Sequence, residues 1–151
     1  MSDKIEVLLT EIRDAIRGAF PAVKPKTSED GRFIDCGDGT IKDTLTGLMW
    51  DKDGSDNSMS QSRAEEYCKK SEVGGHKDWR LPTREELESI LDLTKVYPAI
   101  DPIFNCKSAW YWTSTPYAGN SGSAWFVGFS TGSVLWNLRS YYFYVRPVRQ
   151  Y

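Results

Sequence analysis

The sequence predicts an α+β domain, and three features of the chain lead to that prediction. An amphipathic helix pattern stands at the N-terminus, two shorter helix patterns stand in the middle, and aromatic-rich segments separated by turn residues fill the last third. The chain has 151 residues, the length of one ordinary domain. Because helices and strands do not alternate along the chain, the strands are expected to form antiparallel sheets that end in a C-terminal β meander.

The first twenty residues have the pattern of an amphipathic helix, which Gly18 and Pro21 bring to an end. The apolar residues at steps of three and four are Ile5, Leu8, Leu9, Ile12 and Ile16. This stripe must be covered. It either packs on its own domain, which we favour, or pairs with further copies to make a homo-oligomer. Residues 21–31 then form a polar linker, and residues 32–151 form the domain.

Local signals predict the elements of the domain in order. Short strands are expected within 32–43 and 46–50. A helix is expected over Gln61–Lys70, and another begins after Thr83, whose capping-box partner is Glu86. The later strands are predicted at 109–113, 124–129, 133–137 and 142–148.

Charge and hydropathy exclude several classes of protein. The net charge of −2 gives no basic footprint for a nucleic-acid partner. No apolar run approaches the ~20 residues of a membrane helix, and no signal peptide is visible, so we expect no membrane insertion and take the cytoplasm as the default location. The cysteines Cys36, Cys68 and Cys106 have neither disulfide-framework nor zinc-site spacing, which favours reduced thiols.

The acidic loop at 51–57 is the one candidate for a cofactor, namely Ca²⁺. Its possible ligands are Asp51, Asp53, Asp56 and Asn57. The EF-hand spacing fails, because Gly54 is the fourth residue of the stretch and not the sixth, and the twelfth residue is not Glu. A solvated turn is therefore favoured over a metal site, and no other cofactor is expected.

Local motifs give no support for catalysis. His76 is the single histidine, and no nucleophile motif or phosphate-binding glycine loop accompanies it. We therefore expect a protein that is not an enzyme.

Strand alternation divides the segment 124–129 into two faces. Trp125, Val127 and Phe129 form the expected core face, while Phe126 and Gly128 point outward. The stretch 135–143 shows no clean alternation and mixes aromatic, aliphatic and polar residues. That composition is typical of a binding surface, but it also fits a second core layer under the first helix, and composition alone does not separate the two.

Five blocks of sequence carry a resemblance to a known family. In order they are "GTIKDTLTGLMW", "DWRLPTREELESILD", "YWTST", "AWFVGFSTGSV" and "YVRPVR". Over residues 32–149 the chain resembles the Lcl C-terminal domain family. The resemblance implies a C-type-lectin-like fold, also seen in formylglycine-generating enzymes, and a non-enzymatic binding role with sulfated glycans as the best-known ligands. It also implies framework roles for Trp79–Pro82 (Arg80 bridging the core) and for Arg146 and Arg149. The block "YWTST" is placed in the framework too, so Trp110 and Trp112 are expected to lie mainly in the core.

A narrower resemblance points to the variable proteins of diversity-generating retroelements, in which a reverse transcriptase rewrites adenine positions at the 3′ end of the gene. Changes at adenines of an AAC codon, or of AAG for Trp136, reach every residue of the window 135–143. The expected binding residues for a protein or glycan ligand are Tyr117, Asn120, Phe126, Gly128, Leu135, Trp136, Asn137, Leu138, Arg139, Ser140, Tyr141, Tyr142 and Phe143. The enzyme alternative is weaker, because formylglycine-generating enzymes use a late cysteine pair and the last cysteine here is Cys106.

Overall fold

The computed structural model describes residues 2–19 and 26–151, and it confirms the α+β class. The helices are α1 (Ser2–Ala19), α2 (Gln61–Lys70) and α3 (Arg84–Glu88), with a 3₁₀ turn at Val73–Gly75. The strands are β1 (Lys26–Thr27), β2 (Phe33–Asp35), β3 (Thr40–Asp43), β4 (Leu48–Asp51), β5 (Trp110–Pro116), β6 (Ser123–Gly128), β7 (Ser133–Leu138) and β8 (Val148–Gln150). Of the predicted linker, residues 21–25 lie outside the described residues, whereas 26–27 already belong to a sheet.

The strands form two antiparallel sheets. The first has the order β1-β2-β3-β4-β8, and the second is the meander β5-β6-β7. Trp50 of β4 pairs with Val148 of β8, so the C-terminus of the chain returns to the first sheet. The architecture is consistent with a small lectin-like fold.

The predicted strand at 142–148 is wrong in most of its length. Phe143 makes an isolated bridge to Met59, and Tyr144 makes another to Tyr111, before β8 begins at Val148. The backbone of this segment bonds in turn to the loop before α2, to β5 and to the first sheet. Because its hydrogen bonds are divided among different neighbours, the segment links the two sheets and does not extend the meander.

Two hydrophobic clusters cover both faces of the meander at β5 and β6. One cluster, which includes Trp50, Tyr111 and Val127, lies between the sheets and against α3. The other lies under α2 and includes Trp112 and Phe126. A strand covered on both faces buries consecutive residues, so alternation does not separate inside from outside here.

The predicted helix signals of the domain are confirmed. The helix α2 begins and ends at the predicted residues, and Thr83 and Glu86 form both hydrogen bonds of the capping box at α3. Arg80 binds the Glu86 carboxylate with two hydrogen bonds of 2.7 Å, and its backbone pairs with Val148. Arg149 bonds to Asp78 at 2.6 Å. The two arginines thus fasten the loop 76–83 to the last strand.

The helix α1 confirms the N-terminal prediction, but its apolar stripe does not pack on the domain. Ile5, Leu8, Leu9, Ile12 and Ile16 are each between 48% and 59% exposed. The favoured expectation of docking is therefore wrong. No part of the chain within residues 2–19 and 26–151 covers the stripe, and pairing with another copy is the alternative that the sequence offers.

A buried ion pair joins β3 to the segment before β2. Arg32 donates from Nε and Nη2 to the two oxygens of Asp43, at 2.9 and 2.8 Å, and Thr46 donates to the same carboxylate. Burial opposes ionisation of Asp43, but these hydrogen bonds and the charge of Arg32 outweigh it and lower the pKa of that carboxyl group. A lowered pKa in the folded state makes the pair stabilising above the unfolded pKa of about 3.9, and the stabilisation is lost as pH falls through the folded pKa.

We expect Asp43→Asn to lower the melting temperature at neutral pH, with a difference from wild type that shrinks steadily as pH falls from about 5 to about 2. Thermal denaturation across that range measures it. Asp14→Asn, which alters an exposed carboxylate on α1, is the matched control and should change the melting temperature little. A difference between Asp43→Asn and wild type that stays constant with pH would contradict the assignment.

Candidate ligand-binding surface

The edge strand β7 and the turn after it carry a cluster of exposed large side chains. Five of them are between 44% and 60% exposed, while Tyr117 is half-buried beside them. We call this cluster the tip surface; its members are Tyr117, Leu135, Trp136, Leu138, Tyr141 and Tyr142. Successive residues of a strand point to opposite faces, so Trp136 and Leu138 lie on one side of this edge and Leu135 on the other. Large exposed apolar side chains concentrated in one region often mark an interaction site.

Aromatic stacking orders one side of the tip surface. The rings of Tyr117 and Trp136 stack with centroids 4.3 Å apart and an interplanar angle of 11°. Trp125 packs edge-on against both, at 5.8 and 5.2 Å, and the Arg84 guanidinium lies 4.0 Å from the centre of the Trp125 ring. Such contacts restrict the motion of the rings. Side chains that are already ordered lose little entropy when an interface forms over them.

A cleft opens at the start of β5, beside Tyr142. It has a volume of about 260 Å³ and is lined by Ser108, Ala109, Trp110, Ser130, Tyr142, Phe143 and Tyr144. Trp110, which the sequence places in the core, is 50% exposed and forms one wall. Its ring packs edge-on against Phe143 at 5.5 Å, so the wall is anchored in the core.

Three of the predicted binding residues are buried, and their assignment to the outward face is wrong. Phe126 and Phe143 are each 5% exposed and pack on one another at 4.8 Å under α2. Gly128 is also buried, and a Cβ atom there would stand 2.6 Å from the Ser133 hydroxyl oxygen and 2.8 Å from the Trp110 ring. These residues belong to the framework because the second core cluster covers the face of β6 that alternation had left open.

The polar members of the predicted site surround the tip surface. Asn120 and Ser140 are exposed, and Asn137 and Arg139 are half-buried. Arg139 donates its backbone N–H to the Gly122 carbonyl, and its own carbonyl accepts from the Gln61 backbone N–H, so its main chain is fixed between the β5–β6 turn and α2. The window 135–142 is therefore presented on a rigid base.

Sequence reasoning missed Trp110, Trp125 and Arg84 as parts of this region. The cross-strand pairing of Trp125 with Trp136 depends on strand register, and the contact of Arg84 with Trp125 depends on the packing of α3 on β6. Neither has a local sequence signal.

The acidic loop does not gather its oxygens around one point. The Asp51 carboxylate is buried and accepts from the backbone N–H groups of Asp53 and Gly54, while burial raises its pKa. Asp53 accepts from the Asn105 amide at 2.6 Å, and Asp56 is exposed. Within residues 2–19 and 26–151, no group of at least three acidic, histidine or cysteine side chains is placed to hold a metal ion. The loop is thus organised by its own hydrogen bonds, as a turn would be.

Arg146 ties this loop to the meander from inside the core. Its guanidinium is fully buried and donates to the backbone carbonyls of Asp51 and Lys52, both at 2.6 Å, and of Asn105 at 2.7 Å. The group also lies 5.4 Å from the ring centres of Phe104 and Tyr111. The resemblance implied an anchoring role for this arginine, and the contacts agree with it.

The thiols and the histidine are not among the residues of the tip surface. All three cysteines are free, as the sequence predicts. Burial raises the pKa of Cys68 to about 12, so its thiol stays protonated at neutral pH and is a poor nucleophile. His76 follows the 3₁₀ turn and packs near the Trp79 ring at 6.3 Å.

No helix within 2–19 and 26–151 combines the length and the apolar character needed to cross a membrane.

Comparison with protein families finds that residues 39–149 match the Lcl C-terminal domain. That range holds about three quarters of the chain and includes α2, α3, the meander and the tip surface. A search of curated proteins finds none that matches the sequence.

Proposed function

The chain belongs to the Lcl C-terminal domain family, and from that premise we propose that it is a non-enzymatic ligand-binding domain whose binding face is the tip surface. The observation that carries the proposal is the exposure of Leu135, Trp136, Leu138, Tyr141 and Tyr142 on one edge strand and its turn. Large aromatic side chains held in place on a rigid base are the usual anchors of binding sites.

The separation between framework and tip surface supports this role. The meander is held by buried residues of β5 and β6, such as Tyr111, Trp112 and Val127, which the two hydrophobic clusters cover. The exposed residues of β7 lie at the edge of that sheet and do not belong to either cluster. Side chains of the tip surface can therefore change without disturbing the core. A binding face whose sequence varies from one version of the gene to another requires this independence.

We expect the double variant Tyr141→Ala/Tyr142→Ala to keep a melting temperature within about 2 °C of wild type, because neither ring is part of the core. Differential scanning calorimetry measures it. A loss of several degrees would place the rings in the core and would remove the basis for the binding face.

Diversification by a retroelement is the finer part of the proposal. Asn120, Tyr117 and the window 135–142 all fit products of adenine changes in AAC or AAG codons, and all lie at or around the tip surface. The buried Phe126, Gly128 and Phe143 fit the codon rule but not the geometry, so we leave them out. The test is a search of the genomic DNA downstream for a near-copy of the 3′ end that differs at adenines, beside a reverse transcriptase gene. If the flanking DNA holds no such copy, the diversification hypothesis is wrong and the proposed binding face has a fixed sequence.

A sulfated glycan is the alternative to a protein ligand. Arg84 and Arg139 lie beside the tip surface and favour it, whereas the net charge of −2 disfavours it. Heparin binding at low and high salt distinguishes the two. If the ligand is a sulfated glycan, the chain should bind heparin, and the affinity should fall with added salt and with Arg139→Gln. If the ligand is a protein, the chain should not bind heparin.

A formylglycine-generating activity is the less favoured alternative. Such chemistry needs a reactive thiol pair, and the buried Cys68, with its pKa of about 12, does not supply one. A turnover assay before and after thiol alkylation tests it: turnover that alkylation abolishes would contradict the binding-only role.

A further inference from the structure

The helix α1 leaves a complete apolar stripe uncovered, and the spacing of that stripe is that of a coiled-coil seam. Ile5, Leu9, Ile12 and Ile16 follow one another at steps of four, three and four residues, which assigns Leu9 and Ile16 to a positions and Ile5 and Ile12 to d positions. All four are about half exposed. Neighbouring g positions hold Leu8 and Ala15, and e positions hold Glu6 and Arg13.

These positions complement themselves when a second copy lies antiparallel. In an antiparallel pair, an a residue packs against a d residue of the partner. The register that sets Ile5 against the partner's Ile16 also sets Leu9 against the partner's Ile12, so the seam has apolar layers from end to end. The same register sets Leu8 against the partner's Ala15, where a large side chain meets a small one.

The charges select the same arrangement. In this register the e positions face each other, so Glu6 lies opposite the partner's Arg13 and Arg13 lies opposite the partner's Glu6. In a parallel pair the e positions instead face g positions, and Arg13 would lie opposite the partner's Leu8 with no charge to meet. Within the described ranges 2–19 and 26–151, neither Glu6 nor Arg13 takes part in an ion pair of the single chain.

We propose that α1 pairs antiparallel with α1 of a second copy of this chain, with Ile5, Leu9, Ile12 and Ile16 as the seam and Glu6–Arg13 contacts on its flank. The pair covers the face that the domain leaves open. A two-heptad seam is short, so the dimer is expected to form reversibly and to depend on concentration. The inference is independent of the ligand and of the tip surface.

The test is sedimentation equilibrium of the full chain at low ionic strength, between about 10 µM and about 1 mM. Wild type should dimerise. Glu6→Arg sets like charges opposite each other, and so does Arg13→Glu, and each should weaken the dimer roughly tenfold. An equimolar mixture of the two variants regains both opposite-charge contacts and should dimerise about as tightly as wild type. The chain that carries both substitutions should do so as well.

Three results would overturn the proposal. If the chain stays monomeric over the whole concentration range, α1 does not pair with a second copy. If it forms an assembly larger than a dimer, the helices do not associate as an antiparallel pair. A mixture that associates no better than its components means that positions 6 and 13 do not meet, as in a parallel pair. Far-UV circular dichroism and the melting temperature of each variant show that the helix and the domain are intact, so that weaker association reports on the charges.

Discussion

Replacing Arg146 by Met should lower the free energy of unfolding by about 3–5 kcal/mol. The substitution removes the guanidinium donor from the backbone carbonyls of Asp51, Lys52 and Asn105, of which the Lys52 carbonyl keeps a hydrogen bond from the Asn105 N–H. A buried acceptor without a partner costs about 1–3 kcal/mol, and the Asp51 and Asn105 carbonyls both lose theirs. Methionine fills much of the space but offers no hydrogen bond, so the change isolates the guanidinium.

Urea denaturation followed by tryptophan fluorescence measures this loss. Arg63→Met is the matched control, because it makes the same chemical change at an exposed position of α2 and should stay within about 0.5 kcal/mol of wild type. If the two variants were equally stable, Arg146 would not be the anchor that its contacts indicate. If the Arg146→Met variant is already unfolded without urea while Arg63→Met is folded, the loss of stability is at least as large as expected.

Replacing Phe143 by Ala should cost about 3–5 kcal/mol of stability. Its ring packs on Trp112 at 4.5 Å and on Phe126 at 4.8 Å, in the middle of the cluster under α2. Deleting it leaves a cavity bounded by large rings that cannot collapse into the space.

Tyr142→Ala is the control next in the chain, because Tyr142 is 60% exposed where Phe143 is 5% exposed. It should change the stability by no more than about 0.5 kcal/mol. The contrast places the boundary between the framework and the tip surface between two successive residues. If both variants lost the same stability, Tyr142 would belong to the core and not to the tip surface.

The helices and the cap of α3 were predictable because their signals are local, whereas the N-cap residue of α2, Ser60, makes no side-chain cap hydrogen bond. The apolar periodicity of α1, the bounds of α2 and the capping box of Thr83 and Glu86 each depend on residues within one or two turns of a helix. The same holds for the general location of the meander strands. Tertiary contacts did not have to be known for any of these.

The burial of single residues on the meander was less predictable. Alternation assumes that one face of a strand is covered, whereas both faces of β6 are covered, which is why Phe126 and Gly128 are inside. Trp110 fails in the opposite sense, because it begins β5 at the margin of the cluster and keeps half of its surface exposed. The segment 142–148 fails because its partners lie in three other parts of the chain.

The position of β7 at the edge of its sheet has a consequence for solubility. In the described part of the chain this strand pairs with β6 alone, so its other side presents backbone donors and acceptors to solvent, beside Leu135 and Trp136. An open edge with apolar side chains is a template for strands of other molecules, and proteins usually guard it with charge or irregular backbone. Substitutions in the window 135–142 therefore have to avoid aggregation through this edge as well as preserve the fold.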